Sequence, residues 1–432
     1  MRKIITAAMI ALTLVVFAPA ALHASEVTIT VNGNLIEFDV PPFIADGRTM
    51  VPLRPIAEAL RFYPEWRPET QEIVLWGEVT LFLTIGSAVA HIVRSAGFAG
   101  SELNIIEIDT PPVIVNGRTF VPARFIAESL GADVKWDDQT RAVIITSEST
   151  VVRVDLSFQD ITNERLAEMV TSGRIPTDVT KLDLRANSIS DISPLSDLAD
   201  LVELNLWGNQ VSDISPLSGL TNLTALNLWG NQFSDISPLS ELTNLTNFSM
   251  GDNLQFNGDI SVLSNLSNLI YLGLGSHQTK DFTPLENLVK LEYLHLWGVQ
   301  QLNDLTALGN LTNLTSLTIH GASVEDFSAL GNLTNLISLD LQSNQVRIDD
   351  ISSLYLDNLT NLTDLTLLNN HISDISALSG LTSLTHLRLD GNQIRNIAPF
   401  ANLINLEELW LLGNPITDWS PVEHVEYVSG RP

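Results

Sequence analysis

From Val179 onward the apolar positions fall into a repeating frame, LxxLxLxxNxIxDISPLSxLTN. The frame begins again at Leu201, Leu223, Leu245, Leu269, Leu291, Leu314, Leu336, Leu362, Leu384 and Leu406. That makes eleven units, mostly 22 residues long, with 24 at Leu245, 23 at Leu291 and 26 at Leu336. In the second unit Leu201, Leu204, Leu206, Val211, Ile214, Leu217 and Leu220 carry the apolar set, with polar residues between them. So short a unit cannot bury that face alone, but stacked copies bury it against one another, which predicts a solenoid. The LxL segment alternates as a strand does. Eleven coils at about 4.8 Å per strand then predict a parallel sheet roughly 50 Å long.

Polar positions in the frame have structural roles. Asn187, Asn209, Asn231, Asn253, Asn344, Asn370, Asn392 and Asn414 form a column whose amides can satisfy turn backbone; His277, Val299 and Ala322 interrupt it in three successive coils. A second column holds Asp191, Asp213, Asp235, Asp259, Asp281, Asp304, Asp326, Asp350, Asp374 and Asp418. These are read as caps of the following turn, with a calcium ladder as the alternative. The recurrent N-L-[ST], as at Asn222, Asn244, Asn310 and Asn358, matches a glycosylation sequon but follows from the repeat and is read as structural. Residues 158–178 supply an end cap, with an amphipathic helix from Ile161 burying Leu166, Met169 and Val170 and stopping at Gly173. Residues 147–156 form a linker or edge strand, and the C-terminal PVEHVEYV covers the last coil.

A different duplication precedes the solenoid. Residues 38–76 align without a gap on 108–146, sharing PPxIxxGRTxVP and, beyond it, Arg54/Arg124, Glu58/Glu128 and Trp66/Trp136. Asp46-Gly47 and Asn116-Gly117 are hairpin-turn dipeptides, and Pro52 and Pro122 suit the start of a short helix. Arg54 and Glu58, like Arg124 and Glu128, share a helix face; they are read as fold-defining ion pairs, with a ligand groove as the alternative. Gly131 caps the second helix, whereas Arg61 at the matching position predicts a less regular first helix end. VKWDDQTRAVIIT then reads as a further hairpin.

These motifs resemble two known families. Residues 26–147 resemble the copper amine oxidase-like N-terminal domain of secreted Gram-positive proteins, a non-catalytic, stalk-like module. No copper site carries over, since the segment holds only His91 and Tyr63 of the residue types that such chemistry needs. Residues 179–432 resemble the internalin-like class of leucine-rich repeats. The expected fold is therefore an α/β-type leucine-rich repeat solenoid, a parallel β-sheet with 3₁₀ turns, preceded by a small α+β domain built from two half-repeats. The expected domains are a signal peptide at 1–24, the stalk-like domain at 26–147, a helical cap at 158–178 and repeats over 179–432.

Charge and composition narrow the function. Residues 1–24 have a basic start, an apolar run and small residues, as a signal peptide does; cleavage after Ala24 is favoured over Ala20, and an uncleaved anchor is the alternative. Without them the charge is 20 − 50 = −30. Nucleic acid and anionic lipid are unfavourable partners for such a chain. No later segment is apolar enough to span a membrane, so no span is expected in the mature chain. No LPxTG-type signal follows, so wall attachment by that route is not expected. Cysteine is absent, which excludes disulfides, thiol catalysis and Cys-ligated metals. Residues 25–147 carry 9 basic and 16 acidic residues, and 148–432 carry 11 and 34, so the solenoid is the more acidic part and suits a neutral or basic protein partner.

Catalytic motifs are missing: there is no GxSxG, HExxH, Walker or EF-hand signature, and His295 and His320 lack a third zinc ligand. A binding protein without a cofactor or metal is expected, not an enzyme. Strand residues between the inward leucines project to the concave side. There the chain places Trp207, Trp229, Tyr271, Tyr293, His295, Trp297 and His320 as candidate partner-binding residues, with His386 and Trp410 beyond them. Large aromatics are frequent interface anchors. Trp207 and Trp229 lie in near-identical repeats and can instead stack on each other. The alternative partner is a glycan of the cell wall, held on Trp207, Trp229 and Trp297.

Overall fold

The computed structural model describes residues 27–76, 79–95, 101–147, 152–275, 278–342, 344 and 348–431. The signal-peptide reading of residues 1–24 and the column break at His277 lie outside them. The chain divides into two compact units at Ser149/Thr150.

In the first unit each half-repeat forms a hairpin, a helix and a second hairpin. The first copy comprises Phe43–Ala45, Arg48–Pro52, helix Leu53–Ala59, Tyr63–Arg67 and Glu72–Trp76. The second comprises Val113–Val115, Arg118–Pro122, helix Ala123–Ser129, Asp133–Asp137 and Ala142–Thr146. Both turn dipeptides have positive φ at both residues, 47° and 72° at Asp46-Gly47 and 51° and 74° at Asn116-Gly117, as a two-residue I′ hairpin turn requires. The inner strands pair antiparallel with Val51 opposite Val121, so the copies meet about a local two-fold. Val51, Val121, Ile56 and Ile126 are fully buried at that junction. The second hairpins then diverge: one joins a five-stranded sheet with Thr80–Thr84, Val89–Ser95 and Ser101–Glu107, the other a four-stranded sheet with Thr28–Val31 and Asn34–Leu35.

Two expectations are corrected here. Arg61 takes the left-handed conformation (φ 64°) that Gly131 takes (φ 82°), and both helices close with matching backbone bonds, Phe62 N–H to Ala57 O at 2.8 Å and Ala132 N–H to Ala127 O at 2.9 Å. The first helix end is thus as regular as the second, because the tertiary contacts of buried Phe62 outweigh the cost of a side chain at that position. The Arg54–Glu58 and Arg124–Glu128 pairs, at 3.5 and 3.7 Å, are at least half exposed and contribute only tenths of a kcal/mol, on the order of an ordinary surface pair. The arginines that tie the copies together are Arg48, donating to Asp109 at 2.6 Å, and Arg118, donating to Asp39 at 2.8 Å. Each reaches the aspartate two residues before the other copy's Pro-Pro.

The second unit is a solenoid with one parallel sheet of 13 strands. Arg153–Asp155 begins it, eleven repeat strands follow from Lys181–Asp183 to Glu408–Trp410, and Tyr427–Ser429 ends it. Short 3₁₀ turns such as Ser215–Leu217 form the opposite side. The cap helix spans Asn163–Thr171; Thr162 accepts the Arg165 N–H, Leu166 and Met169 are buried, and Gly173 follows with φ 74°. The asparagine column joins coils as its chemistry requires: Asn231 Nδ2 donates to Leu206 O at 2.9 Å and Leu228 O at 3.0 Å, while its Oδ1 accepts Val211 N–H at 3.0 Å. Where the column is interrupted, Val299 and Ala322 are fully buried and fill the space with apolar groups. The aspartates cap the turns, as in Ser215 N–H to Asp213 Oδ1 at 2.8 Å. The sequon asparagines Asn222 and Asn244 donate to the preceding coil at Ala199 O and Thr221 O, both at 2.9 Å, a further inter-coil ladder.

Candidate functional site

Parallel register sets the concave face. Tyr271 lies beside Tyr293 and Ser316, Gly273 beside His295 and Thr318, and Gly275 beside Trp297 and His320. Leu272, Leu274, Leu294 and Leu296, the intervening residues, are fully buried, so these side chains project the other way.

Four of the predicted residues form one aromatic cluster. The His295 ring stacks on Trp297 at 5.3 Å between centroids and 10° between planes, and meets Tyr271 at 5.5 Å. Trp297 in turn meets Trp229 edge to face at 5.1 Å and 86°. Trp229 belongs to the third coil and Trp297 to the sixth. They touch because the coils between them carry glycine. A Cβ on Gly251 would lie 2.5 Å from Trp229 ring carbons, one on Gly275 3.0 Å from the same ring, and one on Gly273 3.4 Å from Trp297. The indoles occupy the space those side chains would take. Trp229 Nε1 donates to Asp252 Oδ2 at 2.7 Å, which fixes the ring's outer edge.

Toward the C-terminus the cluster becomes polar. His295 Nδ1 lies 3.0 Å from Thr318 Oγ1. Burial and the adjacent His320 hold the His295 imidazole below its ordinary pKa, partly opposed by Asp340, so the ring is neutral at neutral pH. Burial pushes the Tyr271 phenol up. His320 Nε2 is buried 3.1 Å from Asp340 Oδ2 without hydrogen-bond geometry, and Asp340 accepts from Gln342 N–H at 3.0 Å and Gln342 Nε2 at 3.1 Å.

Other predicted residues are placed apart from the cluster or at its rim. Tyr293 is exposed beside Tyr271. Trp207 is 39% exposed and meets Phe158 at 6.4 Å, not Trp229, so the alternative of a Trp207–Trp229 stack is not formed. Its physical reason is the glycine floor, which draws Trp229 toward the C-terminus. His386 Nδ1 is 3.3 Å from Asp364 Oδ1, and Trp410 sits under Arg388 at 4.5 Å, both several coils away. Sequence reasoning missed Gly251, Gly273, Gly275 and Asp252. Their signal was legible in FSMGD and YLGLG, where glycine replaces the tryptophan of the repeat at Gly251 and Gly275 and its strand asparagine at Gly273. Among the described residues no group of His, Asp and Glu could hold a metal ion.

Comparisons with known proteins find matches in both parts of the chain. The copper amine oxidase N-terminal domain family matches residues 30–162, and a family of leucine-rich repeats matches residues 177–219 and 382–424. The solved structure of an internalin from Listeria monocytogenes is 30% identical, with 65% of this chain and 86% of that one covered at a TM-score of 0.54. The chain belongs to the internalin-like leucine-rich repeat proteins. A leucine-rich repeat protein from Leptospira interrogans, 21% identical over 65% of this chain and 84% of its own at a TM-score of 0.50, shares the fold. A Brevibacillus choshinensis protein named as a protease inhibitor is 28% identical over 141 residues, 32% of this chain and 40% of that relative's length. The chain thus spans well under half of that protein. Among the described residues of this internalin-like protein no helix is long and apolar enough to cross a membrane.

Proposed function

We propose that this is a secreted or cell-surface recognition protein of a Gram-positive bacterium. The concave face binds another protein, and the first unit serves as a stalk or envelope-associating module. The observation that carries the reading is the aromatic cluster of Trp229, Tyr271, His295 and Trp297, set over a glycine floor and bordered by exposed Tyr293. Such a patch offers apolar and aromatic area already held in place, so little ordering entropy opposes association. Curved repeat surfaces commonly serve as binding faces. The acidic solenoid favours a neutral or basic partner. A wall glycan on Trp207, Trp229 and Trp297 is the less favoured partner, because Trp229 and Trp297 are engaged with each other.

The test places a photo-crosslinking amino acid at Tyr293 and, as a control, at Asn222 on the outer edge. Protein adducts formed from Tyr293 and not from Asn222 support the reading. Carbohydrate adducts at Tyr293 favour the glycan, and equal adducts at both positions contradict a concave site.

A further inference from the structure

We propose that the first unit carries two equivalent clefts, each a binding site for a neutral oligosaccharide. One cleft, of about 760 Å³, is lined by Trp66, Arg54 and Glu58 of the first half-repeat and by Ile114, Arg118 and Thr119 from the hairpin of the second. The other, of about 1090 Å³, is lined by Trp136, Arg124 and Glu128 of the second and by Ile44, Arg48 and Thr49 of the first. The six positions are alignment partners with the halves exchanged, so the local two-fold that builds the domain also builds two sites. Their volumes are those of small-molecule sites, on the order of 300–1,000 Å³.

The exposed groups identify the ligand class. Trp66 is 44% exposed and Trp136 42%, while Ile44 and Ile114 are 53% and 52% exposed. An indole and an isoleucine are thus left open to water at matched positions in both copies, although burial of either is favourable. Trp136 Nε1 donates to Asp138 Oδ1 at 2.7 Å, which satisfies the polar edge of the ring. A flat apolar surface of this size fits the C–H face of a pyranose. Around it no excess of positive charge gathers. The second cleft has Arg48, Arg124 and Lys135 against Glu107, Asp109 and Glu128, and the first has more carboxylates than arginines. Neither attracts an anion. Donors and acceptors placed side by side instead match hydroxyl groups, each of which both donates and accepts. A saccharide chain long enough to reach both clefts engages them together and gains avidity without new contacts. The inference deepens the envelope-associating role proposed for the first unit and does not depend on the solenoid's partner.

The experiment is calorimetric titration of the full-length protein with two neutral probes, a β-1,4-linked N-acetylglucosamine hexamer and cellohexaose, and with an anionic probe, hexagalacturonate. We expect a neutral hexamer to bind and the anionic one not to. Trp66→Ala and Trp136→Ala should each weaken binding, and the double variant should weaken it by roughly tenfold or more. The Trp66→Phe, Trp136→Phe double variant keeps the aromatic faces and should retain binding, as should Lys290→Ala on the other unit. The proposal is overturned if neither neutral hexamer binds more tightly than about 1 mM, if the Ala double variant binds like the wild type, or if the anionic probe is preferred. Capture of a protein through Trp66 and Trp136 that neither hexamer competes away also overturns it. A protein that binds the hexamer but does not fractionate with the cell envelope counts against the envelope role alone.

Discussion

Gly251→Ala tests the geometry of the concave face with a single methyl group. Gly251 is buried and its φ is not positive, so alanine suits the backbone, and the core leucines on the far side of the sheet are untouched. The new Cβ lands 2.5 Å from two carbons of the Trp229 indole, far inside contact distance. The indole is the mobile partner and must swing away. It then loses its edge-to-face contact with Trp297, worth about 0.5–1.5 kcal/mol, and its bond to exposed Asp252, worth about 0.5–1.5 kcal/mol. The expected loss of stability is therefore about 1–3 kcal/mol. Urea denaturation measures it, and near-UV circular dichroism reports the broken tryptophan pair. A double-mutant cycle isolates the cause: in a Trp229→Ala background Gly251→Ala should cost little, because the ring it displaces is gone. An equal cost in both backgrounds, or an unchanged near-UV spectrum in Gly251→Ala, would refute the account of the glycine floor.

Further outcomes follow from the same structure. Leu294→Ala removes a fully buried side chain and should cost about 2–5 kcal/mol, whereas Trp297→Ala, on the half-exposed face, should cost about 0.5–1.5 kcal/mol through its aromatic contacts; thermal melts in the reverse order would place Trp297 in the core. At Asp213, Asp259, Asp326 and Asp418 the backbone N–H two residues on holds the carboxyl below its usual pKa, and at Asp281 and Asp350 the hydroxyls of Thr283 and Ser352 do so first. A depressed folded-state pKa gives stability that is present above the unfolded value of about 3.9 and lost as pH falls through the folded value. The melting temperature should therefore drop below about pH 4, and drop less when Asp213 and Asp259 are both changed to Asn. We also propose that residues 26–147 and 150–432 each fold when expressed alone, as two compact units suggest; a cut at 157 would remove the sheet's first strand, Arg153–Asp155, and aggregation of the 150–432 fragment where the full chain is soluble would place the boundary elsewhere.

The repeat frame made most of the solenoid legible. Eleven recurrences of the same apolar set leave one stacking solution, and Asn209 and Asp213 announce their roles because each recurs at a fixed offset from a strand. Contacts that break the period were not legible. Trp207 and Trp229 sit in nearly identical sequence, yet one meets Phe158 of the cap and the other Trp297 of the sixth coil. What separates them is the size of side chains on intervening strands, a three-dimensional quantity that local spacing does not express. In the first unit the duplication predicted the turns and helices, but not that Arg48 and Arg118 reach across to Asp109 and Asp39. Those partners lie 61 and 79 residues away, and only the strand pairing at Val51 and Val121 brings them together. The Arg61 helix end shows the opposite error, a local rule overridden by the burial of Phe62.

The claim that most needs testing is that the concave cluster is the recognition surface. The direct measurement is the affinity of the partner identified by crosslinking at Tyr293 for four proteins: the wild type, Trp297→Ala, a Trp229→Ala, Trp297→Ala double variant, and an outer-edge Lys290→Ala control, all matched for folding by circular dichroism. Loss of a central aromatic anchor is worth about 2 kcal/mol or more. Trp297→Ala is therefore predicted to weaken binding roughly 30-fold or more, and the double variant further, with the control unchanged. Equal affinities for all four proteins would contradict the account.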